Sequence, residues 1–316
     1  MSEHHPWLPT SVRISVGSVY HFTSNDTLIK ILESGTLRSS SVLTLNDPGE
    51  VKYGWEWIER WLYCRGSKID EAVARDLLRI VPGERADDDR PSPVLDDYLN
   101  TTFVLCASES SNDASQWRLY GDEGRGCVLE LATGAVNGLV ALETNFEPGS
   151  TSWSRLGTPW VTPWVKVLYQ EAARNTVIES FFHYFASKWP QMTAIKRERE
   201  ARKLHIIASL IKHDSYESEK EVGTIVLVDD PMYVNYRSSA VGVSSFCNLT
   251  HLVARETGIC ARVGWYPTLP LAGIELGPLT TQASIRATEN LLVNAGSRLA
   301  SRDVRVSKSD IPMRIV

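Results

Sequence analysis

The stretch Val16-Gly17-Ser18-Val19-Tyr20-His21-Phe22-Thr23-Ser24-Asn25, continued by Leu28, Ile31, Leu32 and Gly35, decides how this chain is read. Val16 to Phe22 alternates and is rich in β-formers, which predicts a strand. Ser24 and Asn25 are N-cap residues. Leu28, Ile31 and Leu32 fall at helical spacing, and Gly35 supplies the stop. A second extended piece, Leu37 to Leu45, ends in the turn Asn46-Asp47-Pro48.

Outward from this start, helices and short strands mix. Val51, Trp55, Ile58 and Leu62 repeat at i, i+4, i+7, i+11, so their aromatic stripe reads as helix core. Ile69 to Ile80 reads as another helix and Gly83 to Pro93, with Asp87-Asp88-Asp89, as a solvated linker. Thr101 to Ala107 is an apolar strand, Ser115 to Tyr120 a short helix, and Cys127 to Leu131 a strand. Gly149 to Pro163 reads as an exposed loop and Val165 to Tyr169 as a strand. Helix then runs from Glu171 to His213, broken at Trp189-Pro190, and its block Lys196 to Lys203 reads as a solvated face. Thr224 to Val228, Met232 to Tyr236, Ile274 to Leu276 and Val304 to Val306 are strand-like, and Gln282 to Asn294 is helical. No βαβ rhythm emerges, and the glycines of Gly121 to Gly126 precede a strand rather than a helix. The fold class is therefore α+β, and a doubly wound dinucleotide fold is disfavoured. Residues 1–15 form an N-terminal tail, and 16–316 a single α+β domain with helical insertions near 50–100 and 171–213.

Composition bounds the function. The chain has 316 residues and a net charge of −5, which argues against a whole-chain electrostatic grip on nucleic acid. Its cysteines, at 64, 106, 127, 247 and 260, never form a C-x-x-C pair, which fits reduced thiols in a cytoplasmic protein and disfavours a zinc site. Cys106 and Cys127 read as small buried hydrophobes. No run approaches the ~18 apolar residues of a membrane helix, and Met1 to Pro9 lacks the apolar core of a signal peptide.

Four clusters carry candidate chemistry. His21, at a strand end before a helix, can hydrogen-bond ribose hydroxyls or be satisfied within a sheet. Asn46-Asp47-Pro48-Gly49-Glu50 makes a turn and cap, or lines a cleft. Trp117 and Tyr120, three apart on a helix, stack a planar ring or belong to the core. Lys212-His213 precedes Glu219-Lys220-Glu221, whose alternate carboxylates share one side if the segment is extended. They then stabilise positive charge in a cleft, or form an exposed loop.

In their order, these clusters resemble a large microbial family, domain-of-unknown-function family two-nine-seven-one. The match rests on Tyr20-His21-Phe22-Thr23, Ile31-Leu32, Gly35, Leu37 and Leu45-Asn46-Asp47-Pro48-Gly49-Glu50. It continues through Trp117-Arg118-Leu119-Tyr120-Gly121 with Gly126, Lys212-His213, Glu219-Lys220-Glu221 and Ser309 to Arg314. The front end is similar to ADP-ribosyltransferases, including the DNA-modifying toxins, where a histidine-aromatic-threonine strand precedes a helix. That resemblance implies a mixed split sheet with helical insertions and NAD as substrate. It implies that His21, Thr23 and Tyr20 hold NAD, that Trp117 or Tyr120 stacks the nicotinamide, and that Glu221 or Glu219 is the late glutamate. It implies an acceptor macromolecule, protein or nucleic acid, and a role as toxin or defence effector. Family members usually follow E-x-E with an aromatic residue and an arginine; Val222-Gly223 stands here, and Arg237 lies one strand later. The rival expectations are a non-catalytic nucleotide or nucleic-acid binding module, and a protein-interaction domain.

Overall fold

The computed structural model describes residues 6–14, 17–44, 49–65, 73, 77, 101–134, 138–151, 159–239, 242–257, 262–301 and 303–313. The turn at Asn46-Asp47-Pro48, the helix expected over Ile69 to Ile80 (save Val73 and Leu77) and the linker from Gly83 to Pro93 lie outside them.

The opening stretch folds as its local signals dictate. Strand β1 is Ser18–Thr23 and helix α1 is Asn25–Ser34. The Ser24 hydroxyl caps α1 by accepting from the Thr27 N–H at 3.2 Å, and Gly35 ends it at φ 69°. Leu28, Ile31 and Leu32 are buried. Strand β2, Leu37–Ser41, is shorter than expected, because the chain turns into a 3-10 segment at Val42–Thr44. Helix α2 is Gly49–Arg65, with Trp55, Ile58, Trp61 and Leu62 in the core.

The remaining strands are β3 Thr102–Ser108, β4 Cys127–Ala132, β5 Val140–Leu142, β6 Trp160–Val161, β7 Val165–Lys166, β8 Glu221–Leu227, β9 Asn235–Ser239, β10 Gly242–Thr257, β11 Arg262–Thr268, β12 Leu271–Leu276 and β13 Arg305–Lys308. The remaining helices are α3 Ala114–Leu119, α4 Glu171–Lys188, α5 Ala194–Ala201, α6 Leu204–Leu210 and α7 Gln282–Ala295. The helical run breaks at Trp189–Gln191, where Pro190 cannot supply a helical N–H.

All thirteen strands described join one mixed sheet. β3 is its pivot. β8 lines one edge of β3 throughout, from Thr102↔Leu227 to Ser108↔Glu221. The other edge is shared: β2 pairs at Ser40↔Val104 and Ser41↔Phe103, and β1 at Tyr20↔Ser108. Both run antiparallel to β3, so they are parallel to each other, and the sheet forks between them. One arm continues from β1 through β4 and β12 to β13; the other runs from β2 through β10 to β11.

Strand alternation sends side chains to two cores. Val104, Ile225 and Leu227 face the helices α2, α4 and α6. Phe103, Leu105, Val222 and Val226 face the opposite way, with Leu28, Ile31 and Leu32 of α1 and Leu292 of α7. Each fully buried aliphatic or Phe side chain contributes about 1.5–3 kcal/mol.

Several expectations are corrected. Trp7 and Leu8, placed in a surface tail, are fully buried, and Trp7 packs edge-on against Phe181 at 5.8 Å. Trp160–Val161, read as loop, pairs with β8. The Lys196 to Lys203 block is not wholly solvated: Glu200 and Lys203 form a buried ion pair at 2.6 Å, with the Lys203 ammonium 3.8 Å above the Trp160 ring. Met232 lies in a 3-10 turn, and strand β9 begins only at Asn235.

Candidate functional site

The fork brings Tyr20 and Glu221 onto one face, with Ser108 between them. Residues opposite each other on neighbouring strands share a face. Tyr20 pairs with Ser108 and Ser108 with Glu221, so these three form a row across β1, β3 and β8. Two strand spacings put the Cα atoms of Tyr20 and Glu221 about 10 Å apart. The row lies on the face that carries Val104 and Ile225, toward the larger helical layer.

His21 stands where β1 leaves β3. Its Nδ1 lies 2.8 Å from the Cys106 carbonyl oxygen, which can only accept, so Nδ1 carries the proton and donates. The ring thus satisfies a β3 carbonyl at the point where the β1 backbone no longer does. Burial pushes the imidazole pKa down, partly opposed by that hydrogen bond. The neutral ring keeps a lone pair on Nε2, the form needed to accept from a ribose hydroxyl.

Glu221 opens β8, buried, with its Oε2 2.6 Å from the Lys212 Nζ. Its backbone N–H donates to the Tyr169 hydroxyl at 3.2 Å. Burial, and then the charge of Glu221, push the Tyr169 phenol pKa up. Arg174, on α4 and 4% exposed, braces both partners. Its guanidinium donates to the carbonyls of Leu168 (3.0 Å), Lys212 (2.7 Å) and Tyr169, and to the Tyr53 hydroxyl at 3.2 Å. It also lies over the Trp57 ring at 4.7 Å. Sequence reasoning missed Arg174, although a signal existed: it stands at i−4 and i−7 from Ile178 and Phe181, so a charge occupies the buried stripe of the helix.

The pair Glu219 and Glu221 does not behave as an extended E-x-E. Glu219 closes the 3-10 segment Asp214–Glu219, and Lys220 is left-handed at φ 45°, ψ 42°. The chain turns between the two glutamates, so strand alternation no longer aligns them. The carbonyl of Glu219 accepts from the Ser108 hydroxyl at 3.1 Å, tying that turn to the row.

The remaining candidates separate. Tyr20 faces the row, whereas His21 and Thr23 alternate toward the other side of β1. Thr23 is buried opposite Cys127. Trp117 is fully buried, donates from its indole nitrogen to the Ser111 carbonyl at 3.2 Å, and meets Phe22 edge-on at 5.2 Å. It presents no ring face to a ligand. Tyr120 caps the end of α3 and is 39% exposed, so the two aromatics do not share one surface. Trp117 instead packs with Phe22, Val128, Ile311 and Met313, which joins the α3 and C-terminal motifs in one structural cluster. Gly126 is required there: a Cβ on it would lie 2.3 Å from the Thr23 carbonyl oxygen. Of Asn46-Asp47-Pro48-Gly49-Glu50, Gly49 begins α2, while residues 46–48 and the Glu50 side chain lie outside the described residues.

Among the described residues, no group of three His, Cys, Asp or Glu side chains could hold a metal ion, and no helix is long and apolar enough to cross a membrane. Residues 116–222 match the model of a family described as "Protein of unknown function (DUF2971)". The matched segment runs from α3 to the start of β8 and includes Arg174, Lys212 and Glu221. No curated protein and no solved structure matches the chain.

Proposed function

We propose that this chain is an NAD-using ADP-ribosyltransferase, working in the cytoplasm at the fork of its sheet. The observation that carries this reading is the row Tyr20–Ser108–Glu221, with the neutral His21 next in sequence on β1, its ring on the other side of the strand and held to the Cys106 carbonyl of β3 where the sheet forks. The sharing of one edge of β3 by β1 and β2 supports an ADP-ribosyltransferase-like split sheet. The free thiols of Cys64, Cys127 and Cys247 support a reducing compartment.

In this reading NAD enters the gap between β1 and β2, from which both sides of β1 are reached, and His21 Nε2 accepts a hydroxyl of the nicotinamide-side ribose. The bond from ribose C1′ to the nicotinamide nitrogen breaks, and its electron pair leaves with neutral nicotinamide. The resulting oxocarbenium-like ribose resembles that of glycoside cleavage. The Glu221 carboxylate, held by Lys212 while its backbone N–H is anchored on the Tyr169 hydroxyl, stabilises the positive charge in a partly dry site. A nucleophile of the acceptor, a protein or nucleic acid, then bonds to C1′ and gives up its proton. The toxin or defence role rests on resemblance alone.

Incubation with labelled NAD and a cell lysate tests the reading. Wild type should transfer label or release nicotinamide, and Glu221→Gln should do so about 10²–10³-fold more slowly. Equal signal from both removes Glu221 from the mechanism. A silent nucleotide-binding module is the second reading, favoured by the 2.6 Å Lys212–Glu221 ion pair, which already occupies the carboxylate. Binding of NAD without turnover by either protein selects that reading.

A further inference from the structure

A second set of polar side chains lies on the same sheet face, on the other arm of the fork. Ser40 pairs with Val104 on one side and Phe246 on the other, and Arg237 pairs with Ser244. Alternation along β2 and β10 therefore puts Arg38, Ser40, Ser244, Phe246 and Arg237 on the face that carries Ser108 and Glu221. The Arg237 guanidinium donates to the hydroxyls of Ser244 at 3.3 Å and Ser40 at 3.5 Å. The Arg38 guanidinium lies over the buried Phe246 ring at 4.8 Å. Among the described residues neither arginine forms an ion pair with a carboxylate. Asp26, the acid that acts on Arg38 from α1, is engaged by Lys30 at 2.5 Å.

Two guanidiniums on one face, neither ion-paired to a carboxylate, repel each other. Burial first, and then the charge of Arg237, lower the Arg38 pKa, against a smaller opposing pull from Asp26, so its charge is only partly compensated there. Planar forks beside hydroxyl donors are the chemistry that recognises phosphate oxygens bidentately. Four residues of β3 separate Val104 from Ser108, about 13 Å, a span that an arginine side chain and a nucleoside diphosphate bridge together.

We propose that Arg38 and Arg237, with the hydroxyls of Ser40 and Ser244, form a binding site for the diphosphate of a nucleotide. The choice of ligand rests on the nucleotide reading of the fork; the binding itself does not require the transfer step.

Isothermal titration of the full chain with ADP, inorganic pyrophosphate and adenosine tests this. Wild type should bind ADP and pyrophosphate, and bind adenosine far more weakly. Arg237→Gln and Arg38→Gln should each weaken ADP about tenfold or more, while Arg237→Lys should lose less. Arg286→Gln, an exposed charge on α7, should leave ADP binding unchanged. Arg237 is exposed, so its variants carry the test if Arg38→Gln does not fold. The proposal is overturned if wild type binds neither ADP nor pyrophosphate, or if Arg237→Gln binds ADP as wild type does. If ADP binding is arginine-dependent but NAD is not turned over, the transfer reaction falls and this site stands.

Discussion

His205 packs edge-on against Trp55 at 5.2 Å and is 1% exposed. Burial, helped by the charge of Arg202, pushes its pKa down to about 3. The sign follows from proton binding: below the ordinary histidine pKa of ~6.5, the unfolded chain takes up a proton that the folded one refuses. Folding stability should therefore fall as pH drops from about 6.5 toward 3, at about 1.4 kcal/mol per pH unit from this residue. Urea midpoints measured across that range should show it, and His205→Phe should flatten the slope. An unchanged slope in the variant assigns the effect to other groups. His21 was readable from sequence as a polar residue at a strand end, but its partner was not. The Cys106 carbonyl becomes available only because β1 departs from β3.

At the scale of elements, α4 couples the helical layer to the candidate site through Arg174. Removing that side chain takes a charged donor from the buried carbonyls of Leu168 and Lys212, each lost hydrogen bond costing about 1–3 kcal/mol. Arg174→Met should therefore lower the denaturant midpoint sharply, whereas Arg174→Lys, which keeps a donor, should lose less. If Arg174 positions the Lys212–Glu221 pair, Arg174→Lys should also lower kcat with little change in KM; equal loss of folded fraction and rate points to stability alone. Helices were the most legible elements, because caps such as Ser24 and breaks such as Pro190 act within one turn. The hairpin of β10 and β11 was not legible. Its polar residues are buried by partners far along the chain: the Thr250 hydroxyl donates to the Gly35 carbonyl at 2.7 Å. Such burial erases the polar-apolar alternation that identifies a half-exposed strand.

At the scale of the whole molecule, the two ends of the chain stabilise the sheet. Trp7 enters the helical core, and Ile311 and Met313 close the cluster around Phe22 and Trp117. Truncation after Ser309 should cost about 1.5–3 kcal/mol for loss of Ile311 alone, and should uncover Trp117. A red-shifted tryptophan emission and lower Tm would report it; an unchanged spectrum assigns the cover of Trp117 to other elements.

The sequence by itself determined what short-range forces specify: the capped helix after β1, the apolar stripes of α2 and α4, and the break at Trp189-Pro190. The tertiary structure alone decided which strands meet. Tyr20, Ser108 and Glu221 lie in distant parts of the chain, and no local periodicity names a strand's neighbour or its register. It also decided that Trp117 is core and that Arg38 lies within electrostatic reach of Arg237. Residue types announce which groups can bind a nucleotide, but only the packing of the whole sheet sets which of them share a face.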